Sequence, residues 1–162
     1  MMLLQILTSR SSYIQKNAQL IKKSFNKNFN VQIINNSNEI KKNSFIVVVI
    51  SYYKIIKNEN LKLNENIFVI HESSLPKGRG MSPLFNQILN GKEKITTSVF
   101  KCNKIIDDGP IVLKKNFFFP KNLIYEEIKH LQMKNSIFLT KKLINLIKTK
   151  KIKLIKQTGK PS

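Results

Sequence analysis

The chain has 162 residues with 41% hydrophobic side chains, enough for one domain with a buried core, and its formal net charge is +20. A single cysteine excludes an internal disulfide, and no apolar run is long enough to cross a bilayer. The start also lacks a basic region followed by an apolar stretch, so a cytoplasmic domain without a membrane span is expected.

Apolar and polar residues alternate in a way that predicts strands separated by helices. Short apolar runs predict six strands, at residues 3–7, 31–34, 45–50, 67–70, 96–100 and 111–119. Helical spacing predicts an amphipathic segment over 14–25 and a long C-terminal helix over about 122–149. The continuous β-branched run at 45–50 is typical of a parallel sheet covered on both faces. The pattern predicts an α/β fold with a Rossmann-like, doubly wound, mostly parallel sheet.

A short helix is predicted directly after the fourth strand. Ser82 suits the N-cap, Pro83 the first helical position, and Gly91 the residue past the end. We therefore expect one catalytic-type domain over 1–149, followed by a basic tail over 150–162. The tail alternates lysine with isoleucine and leucine and has no closing element, so truncation of a longer chain is a further hypothesis.

A histidine at the end of the fourth strand opens a loop rich in proline and glycine. In open α/β sheets, ligands bind at the carboxyl ends of the strands. The pieces that follow stand at His71, Ser73, Leu75, Pro76, Arg79, Gly80, Ile88, Leu89, Asn90, Gly91, Asp107, Asp108 and Gly109. In this order they resemble the formyltransferase family that uses 10-formyltetrahydrofolate, whose members carry a His-x-Ser-x-Leu-Pro loop, a basic glycine-rich stretch, a helix ending near Leu-x-Gly and an Asp-x-Gly turn.

The resemblance implies that His71 and Asp107 are the catalytic pair. Formyl transfer to an amine needs stabilisation of an oxyanion and movement of protons, which one imidazole and one carboxylate can supply. His71 would donate to the oxyanion or shuttle the proton, and Asp107 would hold a water and favour the protonated imidazole. The alternatives are a hydrogen-bonded histidine at a strand end and an ordinary Asp-Gly turn.

One position departs from the family pattern. Most members have an asparagine two residues before the histidine, and its side chain donates to the formyl oxygen. Val69 stands there in this chain and cannot donate from its side chain. Either another donor replaces it or catalysis is weakened, because losing an oxyanion donor costs about 10²–10³ in rate.

For the folate, the resemblance implies two segments made of apolar side chains and backbone groups. They comprise Tyr53, Lys54, Ile55 and Ile56 after the third strand, and Asn103, Ile105 and Ile106 before Asp107. Tyr53 is equally consistent with an ordinary core or rim aromatic. The resemblance implies 10-formyltetrahydrofolate as the cofactor and no metal.

For the acceptor, two basic or hydroxyl-rich segments are candidates. They comprise Ser9, Arg10 and Ser11 at the start of the first helix, and Ser73, Lys77 and Arg79 in the loop after His71. Helix starts favour anions and an arginine can pair with a diphosphate. Ordinary surface turns would explain both segments as well.

The charge indicates an anionic substrate more than nucleic acid. Lysine accompanies abundant asparagine and isoleucine, as an AT-rich genome encodes, and aromatic–basic repeats suited to base stacking are lacking. The leading hypothesis is formyl transfer to a primary amine, with an amino sugar on a nucleotide as acceptor. The alternatives are a formyltetrahydrofolate hydrolase, a methionyl-tRNA formyltransferase-like enzyme, and a catalytically degenerate module that binds folate or a polyanion. The sequence does not indicate whether the chain is a monomer or an oligomer.

Overall fold

The computed structural model describes residues 1–161. Six strands form, namely β1 Met2–Leu7, β2 Phe29–Ile34, β3 Ile46–Val49, β4 Ile67–His71, β5 Lys94–Lys101 and β6 Ile111–Phe118. Five α-helices accompany them, namely α1 Tyr13–Lys16, α2 Ala18–Phe25, α3 Asn58–Leu61, α4 Pro83–Leu89 and α5 Tyr125–Lys148. A 3₁₀ turn spans Ser37–Glu39. All six predicted strands are present.

The chain divides into two compact units, one from Met1 to Val69 and the other from Ile70 onward. In the first unit, β1 lies between β2 and β3 and runs parallel to both, and β3 pairs in parallel with the start of β4. All four residues of β3 are buried, as expected for a β-branched strand without a solvent face. This unit carries the parallel part of the fold.

In the second unit, β5 and β6 pair antiparallel, with an irregularity between Val99 and Phe100. A core of four buried apolar side chains joins α4, β5, the end of β6 and α5: Leu84, Ile95, Phe119 and Ile128. The long helix α5 begins where the Glu127 side chain accepts a hydrogen bond from the Ile124 amide at 2.9 Å. Burial of these side chains removes apolar surface from water and so stabilises this unit.

The strand order is β2-β1-β3-β4-β5-β6, with parallel pairs among β1 to β4 and an antiparallel pair of β5 and β6. The predicted α/β class with a mostly parallel sheet and a long C-terminal helix is therefore confirmed. Within residues 1–161, no helix combines the length and the apolarity that crossing a membrane requires.

Three local features differ from the sequence expectation. The amphipathic segment over 14–25 is two helices, because the chain leaves helical geometry at Asn17 (φ −107°, ψ 26°). Ser82 precedes α4 but is left-handed (φ 54°) and its side chain caps no amide. The long helix begins at Tyr125 rather than near residue 122, and Asn122 itself has a positive φ of 66°.

Candidate functional site

His71 is the last residue of β4, and its side chain is buried with 8% of the residue exposed. Its Nε2 lies 2.8 Å from the carbonyl oxygen of Gly78. A carbonyl oxygen only accepts, so this contact assigns the proton to Nε2 in the neutral ring. The loop after β4 thus returns to the strand end and fixes the orientation of the imidazole.

Asp107 meets the same imidazole from the loop between β5 and β6. Its Oδ2 lies 3.9 Å from His71 Nε2 and accepts a hydrogen bond from the Gly80 amide at 2.9 Å. The Asp107 backbone is left-handed, with φ 53°, a conformation that aspartate tolerates better than most residues. The structure therefore brings together the two residues that the resemblance paired, although their catalytic roles stay predictions.

Asp108, next in the chain, binds a different group. It accepts a hydrogen bond from Arg79 Nη2, and this nitrogen also donates to Gln157 Oε1 at 2.9 Å. The guanidinium that we considered for an acceptor diphosphate is thus engaged within the protein. Arg79 Nε is buried and finds no hydrogen-bond partner among the described residues.

Gln157 is a site residue that sequence reasoning missed. Its Nε2 donates to the carbonyl oxygens of Asp107 at 2.8 Å and Gly109 at 2.9 Å. A lone glutamine in a lysine-rich tail carries no signal of such a role. The division at residue 149 stays a prediction, and the last tail residue, Ser162, lies outside the described residues.

Two glycines allow the loops to approach this closely. A Cβ on Gly78, where φ is +72°, would lie 2.9 Å from Ser73 Cβ. A Cβ on Gly109 would lie 1.7 Å from the Lys101 carbonyl oxygen, which no side chain could tolerate. The family-like glycine after Asp108 is therefore required by contact between backbones.

The other two acceptor candidates of this loop, Ser73 and Lys77, differ in their exposure to solvent. Ser73 is 2% exposed, and its Oγ has no hydrogen-bond partner within residues 1–161. Its carbonyl accepts from Ser98 Oγ at 2.6 Å, which ties the loop to β5. Lys77 is exposed. In this conformation Ser73 supports the loop, and Lys77 is the member open to solvent.

Candidate folate residues of the second unit lie just before Asp107. Ile105 and Ile106 are 63% and 58% exposed, which is unusual for isoleucine. Asn103 is half-buried, and its Oδ1 accepts from the Ile105 amide at 3.1 Å, which shapes the loop. The loop thus presents apolar side chains to solvent directly before Asp107, which is itself half-buried.

Candidate residues of the first unit lie on two loops that contact each other. Ser9 Oγ accepts from the Tyr53 amide at 2.9 Å. Ser12 Oγ accepts from the Gln15 amide at 3.0 Å and so caps α1, the short helix whose start we considered for an anion. The remaining candidates on these loops are exposed or half-buried: Arg10, Ser11, Lys54, Ile55 and Ile56. Ile55 is 70% exposed.

A buried polar chain follows His71 directly. Gln132 Nε2 donates to Glu72 Oε1 at 2.6 Å, and Lys129 Nζ donates to Gln132 Oε1 at 2.9 Å. Burial lowers the pKa of Lys129, and the negative charge of Glu72 opposes that shift. Lys129 Nζ also lies 5.3 Å from the ring centroid of Phe85. This chain joins α5 to the residue after His71.

Cys102 lies half-buried at the end of β5. Burial, and then the negative charge of Asp107, raise the pKa of its thiol to about 11. The thiol is therefore protonated at neutral pH and a poor nucleophile. Among the residues that the structure describes, no group of three His, Cys, Asp or Glu side chains could hold a metal ion.

Comparison with known proteins identifies the relatives of this arrangement. A methionyl-tRNA formyltransferase from Thermosipho melanesiensis is 33% identical over 121 residues, which cover 72% of this chain and 37% of that relative. The chain spans about a third of the length of the curated relatives it matches. Methionyl-tRNA formyltransferase from Clostridium thermocellum is similar in structure, with a TM-score of 0.77 and 30% identity, and the match covers 100% of this chain and 71% of that one.

A more distant likeness shows the fold alone. The N-formyltransferase from Helicobacter canadensis, solved in complex with folinic acid and dTDP-3-aminofucose, has a TM-score of 0.73 at 20% identity. That match covers 100% of this chain and 71% of the other. Residues 9–132 match the family described as formyl transferase, and the chain belongs to that family.

Proposed function

We propose that the chain transfers a formyl group from 10-formyltetrahydrofolate to a primary amine. The observation that supports this most directly is the His71–Asp107 pair, 3.9 Å apart at the carboxyl end of β4, in a member of the formyl transferase family. Strand ends of this kind are where α/β sheets bind ligands. The activity, the donor and the acceptor are all part of the proposal.

His71 would act as the hydrogen-bond donor to the formyl oxygen. Its Nε2 carries the proton in the neutral ring, and this proton now meets the Gly78 carbonyl. A substrate oxygen that gains negative charge is a stronger acceptor than a neutral carbonyl and would attract that proton. The same nitrogen could then pass a proton between the amine and the departing folate nitrogen.

Asp107 would hold the ring charge and a reacting water in place. Its Oδ2 is fixed by the Gly80 amide at 2.9 Å, so the carboxylate is oriented before substrate arrives. A carboxylate that is already oriented stabilises developing positive charge on the imidazole without further rearrangement. Val69 supplies no side-chain donor two residues before His71, so we expect slower turnover than in members with asparagine there.

The formyl donor would carry its formyl group on a folate nitrogen that acts as the leaving group. In the second unit, the exposed side chains of Ile105 and Ile106 would cover the apolar face of its pterin. Tyr53 and Ile55 of the first unit, 53% and 70% exposed, are separate candidates that the resemblance gives. Exposed isoleucines on loops, where water contact is unfavourable, fit an apolar ring system.

The proposed acceptor is an amino sugar carried on a nucleotide. The Helicobacter canadensis relative was solved with such a compound, and the net charge of +20 would favour an anionic acceptor. A second candidate is methionyl-tRNA, because curated relatives near 30% identity act, by name, on that substrate. The two candidates are distinguished by measuring formyl transfer to each acceptor with the same enzyme and the same donor.

The first test is calorimetric binding of 5-formyltetrahydrofolate, a stable analogue, to wild type and to the variants His71→Ala and Asp107→Ala. Binding by wild type is expected, followed by single-turnover transfer of labelled formyl to one acceptor. Release of formate without an amine would instead identify a hydrolase. Binding without either reaction would identify a degenerate folate-binding module, and no binding at millimolar ligand would contradict the proposed function.

A further inference from the structure

We infer that Gln157 is a positioning residue for Asp107, held against it by the segment that follows α5. The expected effect on catalysis rests on the proposed function. The contacts of Gln157 do not, since they are observed within the second unit. Gln157 touches neither His71 nor the atoms expected to react. It acts on the backbone that carries the Asp107 carboxylate.

The carboxamide of Gln157 uses both its donors and its acceptor in this loop. Nε2 donates to the Asp107 and Gly109 carbonyl oxygens, at 2.8 and 2.9 Å, and Oε1 accepts from Arg79 Nη2 at 2.9 Å. Glutamine has two N–H donors and a carbonyl acceptor on one planar group. Glutamate keeps the acceptor but cannot donate, and asparagine is one methylene shorter. The site therefore selects for glutamine.

The backbone upstream of Gln157 is anchored independently. Ile155 and Ile111 exchange two backbone hydrogen bonds, Ile111 N to Ile155 O at 2.7 Å and Ile155 N to Ile111 O at 2.8 Å. This antiparallel bridge attaches the segment to the start of β6, four residues after Asp107. A side chain two residues from such an anchor has a well-defined reach.

Asp107 benefits from such support because a left-handed backbone has an energetic cost for any residue with a side chain, even one that tolerates it as well as aspartate does. At φ 53° the surrounding contacts help to maintain this conformation. Gln157 holds the carbonyl of this residue, while the Gly80 amide holds its carboxylate at 2.9 Å. The two contacts together fix both ends of Asp107 relative to His71.

The Arg79 contact connects the two loops that form the pair. Arg79 lies one residue after Gly78, whose carbonyl meets His71 Nε2, and one residue before Gly80. Its guanidinium binds both Asp108 and Gln157. Gln157 is thus hydrogen-bonded to the loop after His71 and to the loop that carries Asp107. Loss of these hydrogen bonds would allow the distance between the two loops to vary. A displacement of about 1 Å in a catalytic group can cost about 10²-fold in rate.

The test compares Gln157→Glu and Gln157→Met, which keep the side-chain length, with the control Thr158→Ala, an exposed neighbour. The full chain is labelled with ¹⁵N-histidine, so that the Nε2 signal of His71 is read against His130, the second histidine of the sequence. We expect both Gln157 variants to shift the His71 Nε2 signal, leave His130 unchanged, and lower kcat about 10- to 100-fold with little change in KM for the donor. Thr158→Ala should match wild type in all three.

An unchanged His71 signal and unchanged kcat in both variants would overturn the inference. A fall in kcat that matches the loss of folded protein, as measured by circular dichroism, would also overturn it, because it would indicate a purely structural role. If Gln157→Met fails to fold, Gln157→Glu decides, since it retains an acceptor for Arg79. If wild type transfers no formyl group, the proposed function fails, and the His71 signal alone still confirms or refutes the positioning contact.

Discussion

His71 Nε2 lies 3.9 Å from Asp107 Oδ2, while the Gly80 amide donates to that same oxygen at 2.9 Å. The separation is too long for a direct hydrogen bond, and the proton on Nε2 meets the Gly78 carbonyl oxygen instead. The carboxylate, held by the Gly80 amide, therefore lies beside the imidazole without taking the hydrogen-bonding position of its nitrogen. A substrate oxygen or a water placed to one side of the two atoms could contact both, because about 2.8 Å to each is compatible with their separation of 3.9 Å.

From this relationship we predict that His71→Asn and Asp107→Asn each lower the rate of formyl transfer by about 10²- to 10⁴-fold. Each variant removes a proton carrier or a charge while keeping a side chain of similar size. Single-turnover transfer of labelled formyl group would measure the rates. Folate binding, measured by calorimetry, should change less than the rate.

The matched control for these two variants is Asp108→Asn. Asp108 binds Arg79 and makes no contact with His71 that resembles the Asp107 contact. We expect its effect on transfer to be smaller than that of Asp107→Asn. If Asp108→Asn were the more damaging variant, the catalytic assignment would move from Asp107 to Asp108.

Two glycine substitutions should differ sharply in their effect on stability. Gly109→Ala would place a Cβ 1.7 Å from the Lys101 carbonyl oxygen, which forces two backbone segments apart. Gly91→Ala meets nothing within 4 Å and has only the strain of φ +76°, about 1–2 kcal/mol. Urea unfolding should therefore show a moderate loss for Gly91→Ala and a much larger loss, or no folded protein, for Gly109→Ala. Equal losses would contradict the backbone contact.

Cys102 should report on the charge of Asp107. Burial and that charge raise the pKa of the thiol to about 11, so little thiolate forms at pH 8. The raised pKa predicts that iodoacetamide alkylates the thiol more slowly in the folded chain than in urea. Asp107→Asn removes the smaller of the two causes and should accelerate alkylation of the folded protein. Equal rates in wild type and variant would place the thiol beyond the influence of Asp107.

Local patterns in the sequence predicted the fold, whereas the pairing of His71 with Asp107 came from the resemblance to the family. The buried β-branched run of β3 and the histidine at the end of β4 are visible as consecutive residues. The requirement for Gly109 is visible only as part of a motif, since its reason is a backbone 8 residues earlier in the chain, at Lys101. Motifs of this kind record contacts that the sequence does not itself describe.

Gln157 and Lys129 could not be predicted, for a different physical reason. Each acts through side-chain hydrogen bonds to residues far away in the chain: Gln157 to Asp107, and Lys129 through Gln132 to Glu72. Gln157 stands among exposed lysines of the tail, whereas Lys129 is a lysine on a helix, where lysines usually face solvent. The burial of Lys129 is therefore visible only in the packed structure.

Lys129 leads to a prediction about stability at alkaline pH. Burial lowers its pKa in the folded chain, whereas in the unfolded chain it is about 10.4. Between these two values the unfolded chain holds a proton that the folded chain has released, so the free energy of unfolding rises with pH in that window. Below the lowered pKa both states are protonated, and this residue adds no pH dependence.

The measurement is urea unfolding of wild type and Lys129→Met from pH 7 to pH 10. We expect wild type to gain stability relative to the variant as pH rises through the lowered pKa of Lys129. The quantity to compare is the difference in the free energy of unfolding between the two proteins. The raised pKa of Cys102, about 11, lowers the free energy of unfolding of both proteins over an overlapping pH range, and the difference removes this effect. Parallel curves for the two proteins would mean that Lys129 is solvated when the chain is folded. The buried chain from Glu72 through Gln132 would then end before Lys129.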